Sequence, residues 1–213
     1  MKYTTVWRHG QDEHIEKKSR FIGQAWPVFS EDEARTLIEQ TRKEYWNASH
    51  NVFAYCVEGV QRFTDDGEPS GTAGKPMLDV LLGQKLQNVL VIVTRYFGGT
   101  LLGTGGLVRA YTKGAQIALA AAGIIEKAEY TRYHIALPYV LLGKIQYALL
   151  GQDFYIEDTL YTDEVTLKVL ISHDQNAKFL KTLTEASDGK LTPVPEETIW
   201  AAAIDGHYEF FDL

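Results

Sequence analysis

A glycine-rich segment between an apolar strand and an alanine-rich helix constrains this fold more than any other part of the chain. The segment, TRYFGGTLLGTGGLVRAY, covers residues 94–111 and follows a strand predicted over 88–94. Its glycines are Gly98, Gly99, Gly103, Gly105 and Gly106. A glycine-rich turn from a strand into a helix exposes backbone N–H groups that suit an anion. The same glycines also serve a tight turn without any ligand, because glycine tolerates positive φ.

Cations flank this glycine-rich turn on both sides. Arg95 precedes it, whereas Arg109 and Lys113 follow on a helix predicted over 105–122. Their spacing of four residues places Arg109 and Lys113 on one helix face, which is polar and net basic. The pattern predicts recognition of phosphate or of a nucleic-acid backbone. From the spacing alone, an ordinary solvated helix face has at least equal weight.

Two nucleotide-binding motifs are absent from the sequence. The segment nearest to a P-loop, PSGTAGKP, carries Pro69 and Pro76 where that motif requires glycine and a hydroxyl residue. The dinucleotide fingerprint fails as well, because Val108 occupies the third glycine position after Gly103 and Gly105. An anion or RNA-backbone site without a defined nucleotide motif remains an alternative.

A second candidate site is the long loop predicted over 59–75. Asp65, Asp66 and Glu68 cluster in it, and His50 precedes the neighbouring strand. Together these four side chains are the candidates for a general base or a hard-cation site. Ser70 is a candidate donor to phosphate. Clustered acids in a turn rich in glycine and proline are also ordinary solvated turn chemistry.

The charge of the chain is unevenly distributed. The net charge is −7, yet residues 1–127 carry 15 basic and 14 acidic side chains, and residues 128–213 carry 6 and 14. The first half can therefore present a local basic face. The single cysteine, Cys56, excludes an intramolecular disulfide and a multi-cysteine zinc site. With no signal peptide and no apolar run of membrane length, we expect a cytoplasmic protein without membrane contact.

Hydrophobic periodicity predicts an α+β chain of two domains, residues 1–128 and 129–213. In the first domain, Ser30 and Glu33 form a capping box that opens a helix reaching to about residue 47. Val89–Val93 is continuously apolar, as in a strand covered on both faces. The second domain is predicted as βαββαβ, the ferredoxin-like order. Its predicted elements cover 130–137, 139–150, 154–161, 165–172, 176–187 and 198–204.

Four segments together resemble the YigZ/IMPACT family of bacteria and eukaryotes. They are KSRFIG (18–23), ASHNVFAYCV around His50, DDGEPSGTAGKPML (65–78) and VTRYFGGTLLGTGGLVRAY (93–111). The resemblance implies that the first domain is an α/β sandwich like the second domain of ribosomal protein S-five. It implies a ferredoxin-like second domain, similar to domain V of elongation factor G. Eukaryotic members are linked to translational control, in which they compete for the activator of an amino-acid-starvation kinase.

The resemblance and the residue patterns favour a binding protein over an enzyme. The leading hypothesis is a translation-associated regulator that binds RNA or the ribosome, by analogy with the fold neighbours. A protein-interaction module and a phosphate- or nucleotide-handling enzyme are the alternatives. We expect no cofactor and no metal. The candidate anion-binding residues are Arg20, Ser70, Lys75, Arg95, Gly98, Gly99, Gly103, Gly105, Gly106, Arg109 and Lys113.

Overall fold

The computed structural model describes residues 2–211 and divides the chain into two compact units. The first unit is Tyr3–Glu126, and the second unit joins Lys2 to residues 127–211. Strand β1 (Lys2–Val6) lies at the N-terminal end, and the division falls inside β7 (Ile124–Leu137). No helix among residues 2–211 combines the length and apolar character needed to cross a membrane.

The first unit is built on a five-stranded antiparallel sheet with the order β2-β3-β6-β4-β5. Its strands are β2 (Gly10–Glu16), β3 (Ser19–Pro27), β4 (His50–Val57), β5 (Val60–Thr64) and β6 (Val89–Tyr96). Its helices are α1 (Glu31–Glu44), α2 (Gly74–Gly83) and α3 (Thr104–Ala122).

Both faces of this sheet are buried, as the apolar run Val89–Val93 predicted. Val89, Val91 and Val93 belong to a core shared with α2 and α3. Leu90 and Ile92 point to the other face, into a core shared with α1. Side chains that alternate along a strand must reach opposite faces, so a strand in the middle of three layers is apolar throughout. The central strand β6 thereby carries Arg95 and the glycine-rich segment to one end of the sheet.

The predicted Ser30 cap of α1 is confirmed, and Glu33 bonds one residue farther back than a capping box requires. The Ser30 hydroxyl accepts a hydrogen bond from the Glu33 N–H at 3.1 Å. The Glu33 carboxylate accepts one from the Phe29 N–H at 2.7 Å. The Ser30 bond satisfies an N–H group that the helix start would otherwise leave unpaired, and the Glu33 bond fixes the chain just before the N-cap.

The long loop predicted over 59–75 is wrong in its first part. Residues 60–64 form β5, which pairs with β4 through a two-residue turn at Glu58 and Gly59. Both turn residues have positive φ, 50° and 79°, as in the tight turns that match strand twist. The loop proper therefore covers 65–73. Strand β2 was also not predicted from the sequence. It lies at the edge of the sheet, and most of its side chains are polar.

The glycines of residues 94–111 play different structural roles. Gly99 and Gly103 have positive φ, 80° and 72°. Gly98 has no room for a side chain, because a Cβ there would lie 2.0 Å from the Lys18 carbonyl carbon. Gly105 and Gly106 lie in the first turn of α3, which begins at Thr104, one residue before the predicted start.

The second unit has the ferredoxin-like strand order that was predicted. Its helices are α4 (Tyr139–Leu150) and α5 (Asn176–Ser187). Its further strands are β8 (Tyr155–Tyr161), β9 (Val165–Ser172), β10 (Val194–Ile204) and β11 (His207–Phe211). The order β10-β7-β9-β8 puts the first and third strands of the βαββαβ unit at its centre. Strand β11, which the sequence analysis missed, extends the sheet beside β10. The two-domain α+β prediction is confirmed.

Candidate functional site

A buried ion pair joins the acidic loop to the glycine-rich segment. Arg95, at the end of β6, donates from Nη1 to Glu68 Oε1 at 2.5 Å, and both side chains are almost fully buried. The Tyr111 hydroxyl of α3 donates to the same oxygen at 2.7 Å. Arg95 Nη2 lies 3.4 Å from the Ser19 hydroxyl. Glu68 thus connects three elements that are distant in sequence.

Aromatic rings and the turn after β6 hold the Arg95 guanidinium in place. The guanidinium carbon lies 5.4 Å from the Phe21 ring centre and 5.5 Å from that of Phe97, which are cation–π distances. The Gly98 N–H donates to the Ser19 hydroxyl at 3.1 Å. Arg95 Nε is buried without a hydrogen-bond partner in the described structure. The Arg95 guanidinium is therefore rigidly positioned, but not all of its N–H donors are hydrogen-bonded in the described structure.

His50 is oriented toward Glu68 by the loop backbone. Its Nδ1 lies 2.7 Å from the Asp66 carbonyl oxygen, and a carbonyl can only accept, so Nδ1 carries the hydrogen. Neutral His50 consequently keeps a lone pair on Nε2, which is 3.7 Å from Glu68 Oε1. This is the arrangement of an oriented histidine base next to a carboxylate.

The Tyr111 hydroxyl serves as a hydrogen-bond donor in this cluster. Burial raises its pKa far above the usual value for tyrosine, and the neighbouring Glu68 carboxylate raises it further. The phenol therefore stays protonated and donates to Glu68.

A cavity of about 410 Å³ opens beside this cluster. Its ionisable lining residues are His50, Glu68 and Arg95. The rest of its lining is Pro69, Phe97, Leu101, Leu102, Gly103, Thr104 and Leu107. Leu101 is 83% exposed and Phe97 is 48% exposed, so apolar surface also remains open to solvent there. Cavities of this size and mixed lining are typical of small-molecule sites.

The remaining two candidate acids have structural roles. Asp65 accepts from the N–H groups of Ala73 and Gly74 at 3.1 and 2.8 Å, which caps the start of α2. Asp66 accepts from the Asn51 N–H at 2.7 Å and from Arg42 at 3.0 Å. Only His50 and Glu68 of the four candidates therefore converge. Within residues 2–211, no group of three or more His, Cys, Asp or Glu is arranged to hold a metal ion.

Several of the candidate cations are already neutralised. Arg20 pairs with Glu13 at 2.5 Å, and Lys75 pairs with Asp79 on the next turn of α2. Arg95 pairs with Glu68. Ser70 is exposed, and no hydrogen bond of its side chain is found in the described structure. Arg20, Lys75 and Arg95 are therefore less available to an external anion than their charges alone suggested, whereas Ser70 stays accessible.

Arg109 and Lys113 are different, because both are exposed and neither forms an ion pair with a residue of the described range. They line a hollow of about 240 Å³ together with His14 and Glu16 of β2. His14 Nε2 lies 3.0 Å from the Ala110 carbonyl oxygen, and burial lowers the pKa of His14. A neutral histidine leaves the two cations as the main charges of this hollow, opposed by Glu16.

Two lysines that the sequence analysis did not select lie in the turn between β2 and β3. Lys17 and Lys18 have positive φ, 44° and 67°, and both are exposed. The backbone of Lys18 packs against Gly98. Neither forms an ion pair with a described residue. We define the α3 basic face as Arg109 and Lys113 of α3, which line this hollow, together with Lys17 and Lys18, which follow its Glu16 in the chain.

Comparison with known proteins identifies the family. Residues 17–119 match the model of the Impact N-terminal domain, and residues 135–190 match a domain of unknown function, DUF1949. The chain is 39% identical over 191 residues to IMPACT family member YvyE of Bacillus subtilis (strain 168), with 88% of each chain covered. It is 39% identical over 181 residues to IMPACT family member YigZ of Escherichia coli (strain K12), covering 82% of this chain and 88% of that protein. The chain belongs to the IMPACT family.

Two further comparisons define how far the likeness extends. Protein IMPACT of Oryctolagus cuniculus is 32% identical over 94 residues, covering 41% of this chain and 30% of that protein. A crystal structure described as a hypothetical protein matches with a TM-score of 0.58 at 33% identity, covering 92% of this chain and 98% of that one. The likeness to this structure therefore extends over both units, whereas the rabbit protein shares less than half of this chain.

Proposed function

We propose that this chain is a cytoplasmic, translation-associated regulatory protein that binds RNA or the ribosome through the α3 basic face. The observation that supports this proposal is the exposure of Arg109 and Lys113 and their lack of ion pairs with described residues. Both are exposed, they lie one turn apart on α3, and neither pairs with a carboxylate of the described residues. Unpaired, exposed cations can exchange counterions for phosphates without first breaking an internal ion pair.

The start of α3 adds to the attraction for phosphate. Its N-cap residue, Gly103, provides no side-chain hydrogen bond, and no acidic residue lies in the first turn. The N–H groups of this turn and the positive end of the helix dipole are therefore not offset by a local carboxylate. Lys17 and Lys18 extend the positive charge along the neighbouring turn.

The test is a binding titration against purified ribosomes and ribosomal RNA fragments over a range of salt concentrations. Arg109→Ala and Lys113→Ala should each weaken binding and lower the slope of log affinity against log salt by about one unit. Lys43→Ala is the matched control, because Lys43 is an exposed lysine in the last turn of α1. If Arg109→Ala and Lys113→Ala leave affinity and slope unchanged, the RNA proposal fails.

A second candidate function, a protein-interaction module, is favoured by exposed apolar side chains near the same helix. Leu101 and Phe97 are 83% and 48% exposed. Large exposed apolar side chains beside cations are frequent at protein interfaces. A pull-down should then capture one protein. Persistence of that capture after nuclease treatment, and its loss in the Leu101→Ala variant, would favour this function over RNA binding.

The structure gives less support to an enzyme that handles phosphate or nucleotides through a metal. Asp65 and Asp66 satisfy backbone donors and Arg42, which leaves His50 and Glu68 as the only pair near the cavity among the four candidates. A thermal-shift panel of nucleotides with and without Mg²⁺ tests it. A real site filled at about a hundred times its dissociation constant adds roughly 2.7 kcal/mol of stability.

A further inference from the structure

The cavity beside Arg95 contains hydrogen-bond acceptors that the protein itself does not satisfy. His50 Nδ1 carries the hydrogen that bonds the Asp66 carbonyl, so the neutral form of His50 presents a lone pair on Nε2. Glu68 accepts from Arg95 and Tyr111 through Oε1 alone. No described residue donates to Glu68 Oε2. Because both residues line the cavity and Glu68 is 92% buried, these are acceptors of a built site rather than of open surface.

The charge of the site selects the kind of donor that fits it. Arg95 already neutralises Glu68 at 2.5 Å, so an ammonium ion would bring an uncompensated positive charge beside the guanidinium. An anionic group would meet the Glu68 carboxylate. Neutral hydroxyl groups avoid both costs, and two adjacent hydroxyls supply one donor for each of the two acceptors.

The apolar lining of the cavity selects the rest of the ligand. Leu102 and Leu107 are buried, and Leu101 and Phe97 line the same space with exposed apolar surface. An aromatic ring and leucine side chains suit a flat, weakly polar ring system. A volume of about 410 Å³ is sufficient for a ligand of nucleoside size.

We propose that this cavity binds a nucleoside, with the two ribose hydroxyls donating to His50 Nε2 and Glu68 Oε2 and the base packing against Phe97 and Leu101. The site is separate from the α3 basic face, because none of the four residues of that face lines the cavity. The inference therefore does not depend on RNA binding through Arg109 and Lys113.

Isothermal titration calorimetry of the full chain with adenosine, 2′-deoxyadenosine and 3′-deoxyadenosine tests the proposal. Adenosine should bind, and each deoxy analogue should bind at least about tenfold more weakly, because it leaves one of the two cavity acceptors unpaired. Absence of adenosine binding, or equal binding of all three nucleosides, would overturn the proposal.

Variants test whether adenosine binds in this cavity or elsewhere on the protein. Leu101→Ala and His50→Ala should each weaken adenosine binding, and Leu101→Ala carries little risk to folding because Leu101 is 83% exposed. Val140→Ala, at a side chain 88% exposed in the second unit, is the matched control and should bind normally. Arg109→Ala with Lys113→Ala should also leave adenosine binding unchanged. Loss of adenosine binding in that double variant, or normal binding in Leu101→Ala, would contradict the assigned site.

Discussion

At the scale of single residues, Glu68 joins the acidic loop to β6 and α3 in the interior of the first unit. It is 92% buried, and one of its oxygens receives hydrogen bonds from both Arg95 and Tyr111. A buried charge is tolerated only when it is paired, so removing Glu68 leaves Arg95 uncompensated. The sequence had placed Glu68 among possible catalytic acids and Arg95 among phosphate ligands. In the structure they pair with each other.

The corresponding prediction concerns stability. Glu68→Ala should lower the free energy of unfolding by about 3–5 kcal/mol, because it strands a buried guanidinium. Urea denaturation followed by circular dichroism measures this. Glu13→Ala is the control, since its pair with Arg20 is about half exposed and such pairs contribute about 1 kcal/mol or less. Equal losses of unfolding free energy in the two variants would contradict a buried Glu68–Arg95 ion pair.

At the scale of elements, the turn after β6 is shaped by close backbone contact. Gly98 lies against the Lys17–Lys18 turn, and its N–H bonds the Ser19 hydroxyl. This contact couples the glycine-rich segment to the β2–β3 hairpin and positions Phe97 over Arg95. The glycine is therefore required for packing at this position, whether or not a ligand binds nearby.

Gly98→Ala should lower the free energy of unfolding by about 3 kcal/mol, because the added Cβ would lie 2.0 Å from backbone that cannot easily retreat. Gly83→Ala is the matched control. Gly83 lies at the end of α2, an added Cβ there meets nothing within 4 Å, and alanine favours a helix. Thermal or urea unfolding that ranks Gly83→Ala as the more damaging change would contradict this account.

At the scale of the whole molecule, the two units have separate cores. The core of the second unit is formed by residues between Tyr133 and Leu183, and that of the first unit by residues between Val6 and Ala122. The acidic excess lies almost entirely in the second unit. A unit with its own sheet and core has what independent folding requires.

We therefore expect a fragment of residues 124–213 to unfold cooperatively in urea on its own. It keeps the whole of β7, which is the strand between β10 and β9 in the sheet. The control is a fragment of residues 138–213, which lacks β7 and should show no cooperative transition. A non-cooperative profile for the longer fragment would mean that its stability depends on the first unit.

Local sequence signals were sufficient for most of the second unit and for several elements of the first. The bounds predicted for α4, β9 and α5 agree with the structure, because proline, glycine and turn residues mark their ends clearly. Strands β5 and β11 were missed although Glu58-Gly59 and Asp205-Gly206, both turns with positive φ, precede them. Strand β2 gave no comparable signal, since the Lys17–Lys18 turn lacks glycine, asparagine and aspartate.

The sequence by itself determined the family, the two-domain α+β architecture, and a glycine-rich turn flanked by cations. These follow from local periodicity and from motifs that are contiguous in the chain. Only the tertiary structure decided which charges are free. Arg95 and Glu68 are 27 positions apart and pair in the interior, whereas Arg109 and Lys113 remain exposed. Burial and pairing depend on contacts between distant segments, and no local pattern encodes them.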